Sequence, residues 1–176
     1  MNKAWHLIEI EAPLFTPREL IKPNYTNEDV WVQEIKDEND HELVLRPETT
    51  PGSYFYASHL IKSQGITPPF VVWQAGKSFR RERDFVIKTM RLKEFYQQEF
   101  QCIYTADTLN DYHAKCLDPV KEMIGNALAL PVRVVPSDRL PSYSQVTMDI
   151  EINNGDKWME VCSISRRTDF PGKAKF

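Results

Sequence analysis

Two pairs of strand-forming segments dominate this sequence, each folding back on itself across a short polar turn. Thr147–Asn153 and Lys157–Ser165 are joined through Asn154-Gly155, a dipeptide suited to the left-handed conformations of a tight hairpin. Lys77–Arg83 and Arg91–Tyr104 read as the arms of a longer antiparallel pair around the loop Asp84–Met90. Segments that pair with a sequence neighbour build antiparallel sheets, whose apolar faces helices then cover. The expected fold is α+β, an antiparallel β-sheet flanked by helices, rather than a doubly wound parallel sheet.

The remaining segments fit that frame. Asp29–Ile35 and Glu42–Arg46 read as strands on either side of the polar turn Asp37–His41. Pro51 opens a helix reaching about Gln64, which buries Tyr54, Ala57, Leu60 and Ile61 at helical spacing and stops at Gly65. Phe70–Gln74 is a buried strand. Asp107 or Thr108 caps a helix to about Leu117. Asp118-Pro119 either starts a second helix to Leu128 or kinks one long helix. Val132–Val135 is a short strand. Repeats, low-complexity tracts and Gly/Ser linkers are absent, so residues 1–176 are expected to form a single domain.

Composition excludes several classes. With 41 % hydrophobic residues the chain has enough apolar side chain for a core, which excludes global disorder. No apolar run approaches the roughly 18 residues of a membrane span, and Met1–His6 has no signal-peptide character. Cys102, Cys116 and Cys162 are too widely spaced for a disulfide framework or a paired zinc site. The expectation is a cytoplasmic protein with no membrane partner and no dedicated metal site. Its net charge of −3 hides an uneven distribution. Lys77–Lys93 holds seven basic residues against two acidic ones, and Arg166–Lys175 four against one. Such a run is either a solvated strand face or an anion site, most simply for phosphate.

Period-2 alternation over Ser78–Glu82 sends Arg80 and Glu82 to one face and Phe79 and Arg81 to the other. On the returning arm Arg91, Lys93, Phe95, Gln97 and Glu99 share a face. One surface thus carries a guanidinium, a carboxylate, an aromatic plate and a far carboxylate. ATP asks for similar parts: a cation on the α-phosphate, an acceptor for the adenine amino group and a flat stacking partner. Blander roles exist for each residue. Glu82 suits a cross-strand ion pair with Arg80 or Arg91, Phe95 the core, and Glu48 a helix cap.

The arrangement F-R-x-E, loop, R-x-x-x-F-x-x-x-E resembles motif 2 of class II aminoacyl-tRNA synthetases. Leu45-Arg46-Pro47-Glu48-Thr49 is similar to the L-R-P-E-T segment of glycyl-tRNA synthetases. Tyr143-Ser144 with Thr147-Met148-Asp149-Ile150-Glu151 is similar to their Y-(A/S)-x-x-x-T-x-D-I-E stretch. Trp158-Met159-Glu160, Ile164 and Arg167-Thr168-Asp169-Phe170 resemble W-x-E…I-x-x-R-T-D-(Y/F), and Glu11-Ala12-Pro13-Leu14 the proline end of motif 1. The segments keep the family's order along nearly the whole chain.

The resemblance implies a class II catalytic core that uses ATP and Mg²⁺ to activate a small amino acid, glycine first and serine second. It also implies transfer of the aminoacyl group to a tRNA acceptor end or a carrier protein. Arg80 would be the catalytic residue, on the α-phosphate and the amino-acid carboxylate. Glu82, Arg91 and Phe95 would complete the ATP site, with Glu82 on the adenine amino group and Phe95 stacked on the ring. Glu48, Glu99, Glu160 and Ser163 would surround the amino acid. A homodimer through motif 1, or a complementing chain, is implied as well. The family's motif 3 would follow Asp169-Phe170, and the sequence runs only to Phe176. The expectation is a core incomplete at its C-terminal end, without an anticodon-binding domain. Arg166, Arg167, Lys173 or Lys175 would stand in for the motif 3 arginine. The alternatives are a non-catalytic paralogue that binds tRNA or adenylate, and one half of a split synthetase.

Overall fold

A computed structural model describes residues 6–21, 25–82, 92–105, 112–138 and 144–167. The chain divides into two units, residues 1–105 and 106–176. In the first, β1 (His6–Glu9), β2 (Phe15–Pro17), the helical turn α1 (Arg18–Ile21), β3 (Val32–Lys36), β4 (Glu42–Leu45), α2 (Thr50–Gln64), β5 (Phe70–Phe79) and β6 (Glu94–Ile103) follow in order. The second holds α3 (Tyr112–Leu128), β7 (Val132–Pro136), β8 (Ser144–Asn153) and β9 (Trp158–Arg167). Among the described residues the strands form three three-stranded sheets, ordered β1-β5-β6, β2-β4-β3 and β7-β8-β9.

β5 and β6 are the frame of the first unit. They pair antiparallel from Phe70 opposite Ile103 to Phe79 opposite Glu94. The expected break between Phe70–Gln74 and an arm starting at Lys77 does not occur: β5 runs straight through Gly76. A glycine weakens a strand unless something must come close to it. Here a side chain on Gly76 would collide with the Arg46 guanidinium, its Cβ lying 2.4 Å from Nη2. Directly opposed residues share a face, so Gln74, Gly76 and Ser78 line up with Glu99, Gln97 and Phe95. α2 packs its N-terminal end on this face, where Gln74 Nε2 donates to Ser53 Oγ at 2.7 Å and to Thr49 O at 3.0 Å.

α2 forms where expected. Tyr54, Ala57 and Leu60 are buried while Ile61 is only half-buried, and Gly65 ends the helix in the left-handed region at φ 66° with its N–H on Leu60 O. β1 pairs parallel with β5, His6 opposite Phe70 to Glu9 opposite Trp73. In the neighbouring sheet Phe15–Pro17 pairs with Leu45–Leu43, and Ile21, Val30 and Val44 form a fully buried cluster against which Tyr25 packs.

In the second unit one helix, α3, runs through Pro119, so the one-helix alternative is the observed one. β7, β8 and β9 form an antiparallel meander, with the expected turn at Gly155, whose φ is 102°. Register gives β8 two unlike faces. Met148, Ile150 and Ile152 share one with Val134 and Val132, while Thr147, Asp149 and Glu151 share the other with Arg133. Glycine at position 125 of α3 brings the helix against Val132, where an added Cβ would meet Cγ2 at 3.3 Å. His113 Nε2 lies 2.8 Å from Ile164 O, tying the same helix to β9.

Candidate functional site

β5 ends at Phe79, three residues short of Glu82, yet Arg80 continues its pairing by donating its N–H to Lys93 O at 3.0 Å. Arg80 therefore keeps the face it has by alternation. Its guanidinium carbon sits 5.2 Å from the Phe95 ring centroid and 5.9 Å from that of Tyr25, and Nε donates to Pro47 O at 3.1 Å. Two rings and one carbonyl thus hold a half-buried cation at the end of a strand. A guanidinium stacked in this way keeps its outer N–H groups for an anion.

The turn that supplies Pro47 leads directly into α2. Glu48 is 8 % exposed, and Tyr25 Oη donates to its Oε2 at 3.4 Å. It does not cap α2, because the cap position is Thr49. Thr49 makes no side-chain capping bond, and its fully buried Oγ1 has no hydrogen-bond partner among the described residues. Nothing in the sequence marks that orphan hydroxyl, since Thr at a helix start ordinarily caps. Glu99, on β6, accepts from Thr50 Oγ1 at 2.7 Å and from Gln101 Nε2 at 3.0 Å. The two carboxylates flank the first turn of α2.

Glu82 lines a cavity of about 370 Å³ with Glu28, Trp31, Arg81 and Lys93. Arg81 lies 5.5 Å and Lys93 6.0 Å from the Trp31 ring centroid, while Arg81 N–H donates to Asp29 O at 2.9 Å. Alternation places Glu82 with Arg80 only while the backbone stays extended, and β5 has already ended. Trp31 is the element that sequence reasoning missed. Arg91 lies outside the described residues, as do the loop Asp84–Met90 and Thr168, Asp169, Lys173 and Lys175.

In the second unit, simple alternation would put Glu160 with Cys162 and Ser163 with Val161. The register reverses that. Ile150 opposes Cys162 and the next residue, Glu151, opposes Glu160, so Val161 is an extra residue in a β-bulge. Ser163, opposite Asp149, and Glu160, opposite Glu151, consequently share the polar face. Cys162 joins Met159, Ile164, Ile150 and Ile152. Burial, with smaller contributions from Glu160 and Asp149, pushes the Cys162 thiol above its ordinary value. On the polar face Arg133 pairs with Glu151 at 2.6 Å and lies 4.3 Å over Trp158. Among the described residues no three His, Cys, Asp or Glu side chains converge as a metal site.

A family model described as the tRNA synthetase class II core domain (G, H, P, S and T) matches residues 30–174. The chain belongs to this family. The class II core match runs through both units. A glycine–tRNA ligase of Mycoplasma capricolum subsp. capricolum is 32 % identical over 142 residues, covering 76 % of this chain and 30 % of the relative. A glycine–tRNA ligase of Bifidobacterium longum is 31 % identical over 146 residues, covering 77 % and 29 %. The class II core chain thus spans about 30 % of the length of these curated relatives. Among solved structures, prolyl-tRNA synthetase from Cryptosporidium parvum, complexed with halofuginone and AMPPNP, matches with a TM-score of 0.72 at 17 % identity. That match covers 89 % of this chain and 33 % of the other, and it bears out the expected class II fold.

Proposed function

We propose that the protein is an aminoacyl-tRNA synthetase-like ligase that activates a small amino acid with ATP, glycine first and serine second, in a single catalytic domain spanning both units. The observation that carries this reading is Arg80, clamped by the Pro47 carbonyl between the Phe95 and Tyr25 rings. A cation already held in place loses little further freedom when it binds a phosphate. Arg80 is the proposed ligand of the ATP α-phosphate and the amino-acid carboxylate. Phe95 supplies the flat surface for adenine, and Glu82 and Arg91 are proposed contacts of the nucleotide. Glu48 and Glu99 suit an ammonium, and Glu160 and Ser163 keep the amino-acid role implied by resemblance.

In the first step a carboxylate oxygen of the amino acid attacks the α-phosphorus. The bond to the β-phosphate oxygen breaks and pyrophosphate leaves, giving the aminoacyl-adenylate. Charge builds on the α-phosphoryl oxygens as this happens, and a fixed guanidinium there lowers the barrier. Mg²⁺ arrives on the triphosphate, where it needs at most one or two protein carboxylates. In the second step an acceptor hydroxyl, on a tRNA end or a carrier protein, attacks the carbonyl carbon and AMP leaves. A homodimer or complementing chain belongs to the same proposal.

Pyrophosphate exchange into ATP, run with each of the twenty amino acids, tests it. Exchange that depends on glycine, with serine next, is expected. ATP binding without exchange for any amino acid would instead favour the non-catalytic paralogue. Absence of both would sink the reading.

A further inference from the structure

Arg46 is 3 % exposed and forms no ion pair among the described residues. Its partners are carbonyls: Nε donates to Lys77 O at 2.8 Å and Nη1 to Ala12 O at 2.6 Å, with Gln74 Oε1 at 3.4 Å from Nη1. Its backbone is engaged too, the N–H on Leu14 O at 2.8 Å and the C=O receiving Phe79 N–H at 2.9 Å. Three segments remote in sequence, residues 12–14, the turn at 46–49 and β5, are therefore joined through one residue.

Burying a guanidinium against neutral carbonyls is costly, because no carboxylate bonds it directly to replace the lost hydration. Burial accordingly pulls the Arg46 pKa below its usual value, opposed by the fields of Glu11 and Glu99. The space is made by Gly76, where any side chain would meet Nη2. Gln74 is fully used as well, accepting Ala12 N–H at 3.2 Å and donating to Thr49 O and Ser53 Oγ. A simpler apolar residue would fill this space, so the expense calls for a reason. The reason lies one residue on, where the Pro47 carbonyl receives Arg80 Nε at 3.1 Å.

We propose that Arg46 is a positioning residue for Arg80. It locks the turn whose Pro47 carbonyl aims the Arg80 guanidinium and whose next residue, Glu48, faces the amino acid, while Arg46 itself touches neither substrate. This rests on the reading of Arg80 as the α-phosphate ligand. A lysine at position 46 keeps the charge but lacks the planar fork that reaches Lys77 O and Ala12 O together.

Calorimetric titration with a non-hydrolysable ATP analogue and Mg²⁺ tests it on the full protein, R46K, R80K and the double variant, with thermal unfolding of each. R46K is expected to bind about tenfold more weakly, since small misplacements of a binding group cost one to two orders of magnitude. The double variant should bind no more weakly than R80K, because the effect of Arg46 passes through the Arg80 guanidinium. Equal losses from R46K in both backgrounds, or none in the first, would overturn the proposal while leaving the ATP site standing. Failure of the unaltered protein to bind nucleotide, or R80K binding as the unaltered protein does, would instead overturn the functional reading. If R46K does not fold, Gln74→Met, which removes one acceptor from the guanidinium at similar volume, enters the same cycle with the same pattern expected.

Discussion

At the scale of single residues, the cations of the basic stretch are divided among different tasks. Lys77 pairs with Glu94, Arg80 lies between Phe95 and Tyr25, and Arg81 and Lys93 turn to Trp31. Arg80 is held between two rings with Nε on the Pro47 carbonyl at 3.1 Å, whereas Arg81 has one ring and a longer, exposed bond to Asn27 O at 3.4 Å. Two residues after Pro47, Thr49 has a buried hydroxyl that no group among the described residues satisfies. A buried unsatisfied group lowers stability by about 1–3 kcal/mol, and a binding site is where such a loss is retained. Thr49→Val, which replaces the hydroxyl by a methyl of similar shape, is predicted to raise the thermal midpoint by a few degrees and weaken binding of the activated amino acid. Differential scanning calorimetry and the amino-acid KM in pyrophosphate exchange are the measurements. A lower midpoint would mean that the hydroxyl has a partner after all.

At the scale of elements, α2 and the two hairpins were legible because local signals mark them. Pro51 and Gly65 bracket the helix, and Gly155 reaches a φ of 102° that other residues rarely adopt. β1 carried no such signal: its partner is β5, more than sixty positions away, and a parallel pairing needs no turn between neighbours. The bulge at Val161 was equally hidden, because the alternation of Trp158–Arg167 looks regular until the register with β8 is known. That one extra residue decides where Cys162 points. With Cys102 and Cys116 replaced by serine, alkylation of Cys162 is predicted to turn on only above the ordinary thiol range, since the raised pKa keeps it neutral. As an acid with a raised pKa, the thiol is fully protonated below its unfolded value, and whatever it adds to stability is lost as pH climbs through the folded one. Glu160→Gln should return only part of the shift, because burial is the larger cause. An alkylation midpoint at the free-thiol value would contradict the burial of Cys162 among Met159, Ile164 and Ile150.

At the scale of the molecule, the class II core was legible from five short segments in order, and the match over residues 30–174 bears that out. The sheet arrangement was less so, since the described strands form three three-stranded sheets with one parallel pair. The candidate site was legible where strand geometry is regular. Arg80 and Phe95 meet because period-2 alternation holds to the end of β5. Glu82 lies past the end of β5, where strand alternation no longer fixes its face, and it lines the cavity beside Trp31. Two places for a nucleotide are therefore distinguishable: against Phe95, or in the cavity beside Trp31. A crystal structure of the protein with a non-hydrolysable ATP analogue, Mg²⁺ and glycine separates them most directly. The α-phosphate should lie within hydrogen-bond distance of the Arg80 guanidinium, with adenine against Phe95. Nucleotide seated on Trp31 with its phosphates away from Arg80 would contradict the central claim.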